Sequence, residues 1–286
     1  MRPIPKILYT FWTGEMGPVV RHCLERMSRC YRGYEMKVLG DSDLPEEMRT
    51  LSPEYKADFA RLDALAQTGG VWLDASCIVF DMDWLHSAVT FPDEAEMVGF
   101  GAPWDQNVLE NWTLAAPHPS SFVAAWRDEY VLALREGPPA YCDRVKSEVP
   151  TSLHPSLPYL TCHAAAALVR RRHHTDAVQL FQSAPQGPFG VQVLFDWDVA
   201  ASAMYILTQP VARVHAVCGS FCKLRGVERN RVQDFLKKDP GILRPGSVLH
   251  ESLHNHNHHH HAAWLVVIVV LLVFVACWFR GDSRRS

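Results

Sequence analysis

The chain has 286 residues, 48% of them apolar, which is enough to bury a sizeable core and excludes a chain disordered throughout. Against 31 acidic residues stand 28 lysines and arginines, a formal charge of -3, so no global positive field exists to hold a nucleic-acid backbone and nucleic acid is not an expected partner. The averages mix two regions, because an unbroken run of 18 apolar residues, Ala262 to Phe279, raises the apolar share; without it the remainder stands at about 44%, an ordinary globular composition.

Ile4 to Trp12 is rich in β-branched, aromatic and leucine residues and runs into Thr13-Gly14, which predicts a strand ending in a loop. Val19 to Tyr31 reads as a helix and Tyr34 to Leu39 as a second strand closed by the turn residues Gly40-Asp41-Ser42-Asp43, a βαβ start that points to an α/β fold. Ser52-Pro53 supplies an N-cap and a proline at the first helical position, and Phe59, Leu62, Leu65 and Ala66 recur at helical spacing up to Gly69-Gly70. Val71-Trp72-Leu73 then forms a strand that meets Asp74, and the apolar run resumes through Ile78, Val79 and Phe80. Further strands are expected at 96–100, 108–115, 177–182 and 211–217. Helices are expected at 120–135, with Phe122, Trp126, Tyr130 and Leu134 on one side, at 159–172, and on the surface at 227–238.

The tail is a separate matter. Eighteen apolar residues in a helix rise about 27 Å, close to the hydrocarbon thickness of a bilayer, with Trp264 and Trp278 near the two ends, so 262–279 reads as one C-terminal transmembrane helix. The expected organisation is a domain at 1–249, a His/Asn-rich spacer at 250–261 holding seven of the 15 histidines, the membrane helix, and a short basic tail at 280–286. Two orientation rules conflict: the arginines of the tail favour a cytosolic C-terminus, whereas the start of the chain has no signal-peptide pattern. We expect a cytosolic domain held at the membrane by a single-pass C-terminal anchor. Eight scattered cysteines suggest no disulfide framework, and Cys218 and Cys222 lack the second closely spaced pair that a structural zinc site uses.

The chemistry concentrates around residues 58–76. Asp58 and Arg61 are three apart and share a helix face, and the Gly-Gly turn after that helix leads into Asp74 at a strand end, where open α/β sheets bind ligands. An ordinary helix-surface ion pair is the structural alternative for Asp58 and Arg61. The segment Lys56-Ala57-Asp58-Phe59-Ala60-Arg61 through Gly69-Gly70-Val71-Trp72-Leu73-Asp74-Ala75-Ser76 resembles the central motif of the DXD-type sugar-binding-region glycosyltransferases, and among them the capsular polysaccharide synthesis proteins. Ile4-Pro5-Lys6-Ile7-Leu8-Tyr9-Thr10-Phe11-Trp12, Glu110-Asn111-Trp112 and Gly187-Pro188 extend the resemblance over residues 4 to 190, with Lys223-Leu224-Arg225-Gly226 beyond it.

The resemblance implies a GT-A, Rossmann-like nucleotide-sugar-binding domain with a mixed sheet. It also implies a retaining hexosyl transfer from a nucleotide-diphosphate sugar, UDP for preference, assisted by Mn²⁺ or Mg²⁺, to a glycan or lipid-linked acceptor. Carried over residue by residue, it has Trp12 stacking on the base; Asp58, Arg61 and Gly70 binding the donor; Asp58, Arg61 and Asp74 serving catalysis; and Asp74 with Ser76 holding the metal. The pattern ends in a second aspartate in many relatives, and the neutral Ser76 stands there instead, so a further ligand is expected, with His215 as a candidate against a plain structural role. The triplets Asp41/Asp43, Asp81/Asp83 and Asp196/Asp198 compete for the metal. Two rival readings remain: a non-catalytic nucleotide-sugar-binding protein of the same fold, and a membrane-tethered metal scaffold using the histidine run. Asp74→Asn is expected to abolish turnover with the fold intact if the protein is an enzyme.

Overall fold

The computed structural model describes residues 2–88, 95–172 and 178–250. The apolar run, the basic tail and all of the spacer except His250 lie outside the described residues, and among the described residues no helix is long and apolar enough to cross a membrane.

The expected βαβ unit is present as β1 (Ile7–Phe11), α1 (Pro18–Cys30) and β2 (Glu35–Leu39), with β1 and β2 parallel and Phe11 opposite Leu39. Helix α2 (Pro53–Thr68) follows; Ser52 stands at its N-cap without a side-chain capping bond, so the pre-set φ of Pro53 at the first helical position carries the start. Next come β3 (Gly70–Leu73), β4 (Cys77–Val79), α3 (Asp83–Ala88), β5 (Met97–Ala102), β6 (Asp105–Ala116), α4 (Ser121–Glu136), α5 (Pro138–Val145), α6 (Thr161–Arg172) and β7 (Val178–Gln182). The chain closes with α7 (Gly190–Leu194), α8 (Val199–Thr208), α9 (Val211–Cys218), β8 (Phe221–Lys223) and α10 (Gly226–Lys238).

Six strands form one mixed sheet in the order β2-β1-β3-β6-β5-β7, in which β6 runs antiparallel to both of its neighbours and the other pairings are parallel. Strand alternation divides the core into two layers. Tyr9, Phe11 and Trp72 point to the layer built with α2, α4, α5 and α6, whereas Leu8, Val71 and Leu73 point to the layer of α1, α8, α9, α10 and the small sheet. Trp72, Trp126, Tyr130, Tyr141 and Phe122 are among the largest fully buried side chains, each removing enough apolar surface from water to contribute about 1.5–3 kcal/mol.

One expected run finds its place and one expectation is corrected. The apolar run after Asp74 is a strand but leaves the main sheet: β4 pairs antiparallel with β8 in a separate two-stranded sheet. Residues 211–217 are not a strand but helix α9. Their β-branched content imitates a strand, yet Val211, Val214 and Cys218 recur at three and four, and the helix turns Val214 and Cys218 inward before Gly219, at φ 65°, ends it.

The Gly69-Gly70 pair has a backbone reason. Both residues have positive φ, 67° and 111°, and a Cβ on Gly70 would come within 2.7 Å of the Ile7 carbonyl oxygen, one on Gly69 within 2.8 Å of that of Ala116. The pair thus lets α2 reverse directly into β3 between β1 and β6, which places Asp74 one residue beyond β3 on the edge where β1 and β2 also end.

Candidate active site

A cavity of about 930 Å³ opens at that edge, within the size range of small-molecule sites. Its walls bring together Trp12 from the end of β1, Asp58 and Arg61 from α2, Asp74 and Ser76 after β3, Glu110 and Asn111 from β6, His163 from α6, and Lys223, Gly226 and Arg229 from β8 and α10.

Arg61 is the hub. It is 2% exposed, its Nη1 pairs with Asp58 Oδ1, its Nη2 donates to Asp74 Oδ1 at 2.8 Å, and the guanidinium lies 5.1 Å from the centre of the Trp72 ring. Trp72 in β3 and Asp74 one residue beyond its end are two apart, so they share a side, and Trp72 Nε1 also donates to Asp74 Oδ1 at 3.0 Å. Asn111 Nδ2 donates to Asp58 Oδ1 at 2.9 Å. Asp58 and Arg61 are therefore not a solvated helix pair but part of a buried network that crosses from α2 to β3 and β6.

Lys223 completes it. Its ammonium donates to Asp74 Oδ2 at 2.6 Å and to Ser76 Oγ at 3.1 Å. The small sheet delivers it, with Cys77 opposite Lys223 in the β4–β8 register and Leu224 N bonded to the Ser76 carbonyl at 3.1 Å. Burial opposes ionisation of Asp74, but Lys223 and Arg61 together overcome it and bring its pKa down to about 2. Burial dominates at Asp58 and raises its pKa despite the opposing pull of Arg61. At Lys223 burial works against the charge, yet Asp74 overcomes it and the pKa is raised.

These shifts set an acid limit to stability. A carboxyl whose folded pKa is depressed stabilises the fold above its unfolded value, near 3.8 here, and that contribution disappears as pH falls towards about 2. For Asp74 it amounts to about 2 kcal/mol. The urea midpoint is expected to fall between pH 4 and 2, and the fall to be smaller in Asp74→Asn; Asp58, shifted the other way, subtracts from stability as pH rises through its own pKa.

Gly70 lies outside the cavity lining, and its place is in the strand packing just described. His215 is outside as well: on α9 its Nε2 is 2.7 Å from Asp81 Oδ2 and its ring stacks on Phe80. The literal Asp-X-Asp triplets do local work. Asp41 accepts from Thr13 and Lys56, Asp81 Oδ1 accepts from the Asp83 amide, and Asp198 caps α8 by accepting from Ala201 N at 2.7 Å. Trp12 lines the cavity with the Arg229 guanidinium 5.1 Å from its ring centre.

The donor set does not fit a divalent cation. Asp74 spends one oxygen on Arg61 and Trp72 and the other on Lys223, Ser76 is neutral and already accepts from Lys223, and no group of three His, Cys, Asp or Glu able to hold a metal occurs among the described residues. Sequence reasoning missed Lys223 and Arg229 as individual site residues, along with His163 and Tyr159. Lys223 had a signal in the Lys-Leu-Arg-Gly segment; the others carry none.

No family model and no curated protein matches the chain. Among solved structures it is similar to a glycosyltransferase involved in glycosylation of the major capsid of PBCV-1, at 12% identity over 81% of this chain and 99% of that one, with a TM-score of 0.46. It is also similar to the PaToxG glycosyltransferase, at 12% identity over 83% of this chain and 88% of that one, with a TM-score of 0.41.

Proposed function

We propose that the protein is a glycosyltransferase with a GT-A domain at 1–249 that moves a hexose, with retention, from a nucleotide-diphosphate sugar, UDP for preference, to a glycan or lipid-linked acceptor. The observation that carries the reading is the buried Asp58-Arg61-Asp74-Lys223 network, built from the residues on which the sequence resemblance rests and placed at the strand-end cavity. The chemistry suits such a reaction. Positive character develops on the sugar and negative charge on the departing diphosphate, and fixed cations aimed at the latter stabilise it without reorganising. Lys223, Arg61 and Arg229 line the same cavity as Gly226, which opens the 13-residue helix α10, so the positive end of that helix adds to their field. Asp58, whose other oxygen takes no part in the bonds to Arg61 and Asn111, offers an acceptor for sugar hydroxyls.

Trp12 offers a ring for the base at the end of β1. Trp104 and Tyr159 line the cavity while 52% and 68% exposed, and such aromatic faces at the mouth suit the apolar side of an acceptor sugar. In this reading 262–279 anchors the enzyme in a membrane with the domain on the cytosolic side, close to a lipid-linked acceptor.

The test is a donor panel. The full chain is mixed with UDP-, GDP- and dTDP-sugars, and nucleotide binding and nucleoside diphosphate release are measured. At least one donor is expected to bind and release its diphosphate. Absence of both, for every donor, overturns the reading, and binding without release favours the non-catalytic binding protein.

A further inference from the structure

We propose that the Lys223 ammonium takes the place of a divalent cation in this site, so that the donor diphosphate is held and released without metal; this rests on the nucleotide-sugar reading above. Asp74 and Ser76 are the residues that the sequence resemblance assigns to a metal, and Lys223 Nζ donates to both, to Asp74 Oδ2 at 2.6 Å and to Ser76 Oγ at 3.1 Å. A cation held by these two residues would compete with the ammonium for the same oxygens, beside the Arg61 guanidinium that already donates to Asp74 Oδ1. Three cations around one carboxylate is an arrangement that like-charge repulsion disfavours.

The ammonium is held from behind rather than carried on a loose arm. Lys223 N donates to the Pro188 carbonyl at 2.9 Å, Gln192 Nε2 donates to the Lys223 carbonyl at 2.7 Å, and the Trp112 ring centre lies 6.0 Å from Nζ. Lys223 is 8% exposed and yet lines the cavity. An ammonium has three N–H donors; Asp74 and Ser76 take two, leaving one for a phosphate oxygen. In the transfer the bond between the anomeric carbon and the phosphate oxygen breaks with its electron pair on the diphosphate. The acceptor hydroxyl oxygen bonds to the same carbon, and its proton passes to the released diphosphate. Lys223, with Arg61 and Arg229 alongside, meets the charge that appears on the leaving group, which is the service a metal ion renders elsewhere.

The experiment titrates UDP, GDP and dTDP into the full chain by calorimetry, first in EDTA and then with Mn²⁺ or Mg²⁺. One nucleotide is expected to bind in EDTA, with an affinity that changes by less than about threefold when metal is added. Lys223→Met is expected to lose about 10- to 100-fold in affinity in EDTA, the range for one charge-assisted hydrogen bond. Binding that appears only with metal overturns this inference and leaves the nucleotide-sugar reading standing. So does wild-type affinity in a folded Lys223→Met. Failure of every nucleotide to bind in either buffer overturns the reading of the site, and the inference with it. The wild-type comparison decides the matter even if Lys223→Met does not fold.

Discussion

Arg61→Met is expected to cost about 3–5 kcal/mol of stability, the range for removing one partner from a buried charge network. The side chain it replaces is 2% exposed and bonded to Asp58 and Asp74, so the variant leaves two carboxylates of one network facing each other without their shared cation. At about 2–4 °C per kcal/mol for a domain of this size, the melting temperature should fall by about 6–20 °C. Arg61→Lys should recover little, because one ammonium cannot reproduce both the two bonds in a fork and the placement of the guanidinium over the Trp72 ring. Adding Asp58→Asn to Arg61→Met should cost less than the sum of the single changes, since the second substitution removes a charge that the first left unpaired. Thermal melts of the four proteins check this, and an unchanged melting temperature in Arg61→Met would mean that water reaches both carboxylates.

Asp74→Asn is expected to separate binding from turnover. The carboxylate holds Lys223 on one oxygen and Arg61 with Trp72 on the other. A carboxamide can accept from one of these sides only and turns an N–H₂ towards the other. Loss of that positioning is expected to lower turnover by about 100-fold or more, the scale of a small misplacement of catalytic groups. Nucleotide affinity should stay within about threefold or tighten, because a negative charge has been removed beside an anionic ligand. Diphosphate release and calorimetry on the same preparation make the comparison, and parallel loss of both would mean that Asp74 itself touches the donor. The sequence alone predicts that this variant keeps its fold intact. The structure changes that expectation, since the substitution leaves one of the two cations facing an amide N–H₂ in place of its acceptor and should also cost about 1–3 kcal/mol.

Much of the site's frame is legible in the sequence because it is local. Helical spacing puts Asp58 and Arg61 on one face, Gly69-Gly70 marks a turn that side chains would obstruct, and strand alternation puts Trp72 and Asp74 on one side. Local patterns also mislead. The valines of 211–217 read as a strand until the helix buries Val214 and Cys218, and three Asp-X-Asp triplets read as metal sites until their oxygens are found on nearby backbone amides, hydroxyls, a lysine and a histidine. A short carboxylate in a turn bonds the nearest donors, and the spacing of two aspartates does not tell that use from metal binding.

By itself the sequence determined an α/β chain of mixed composition, a βαβ start, and a strand that ends at Asp74, because hydrophobic period and turn chemistry act over a few residues. Only the tertiary structure decided what Asp74 does. Its partner Lys223 lies 149 residues away in the chain, brought there by the pairing of β4 with β8, and that register depends on side chains from α1, α3 and α9 packed around the small sheet. An ion pair formed across such a distance leaves no periodicity for a local reading to find. It turns a candidate metal ligand into a carboxylate clasped between two cations.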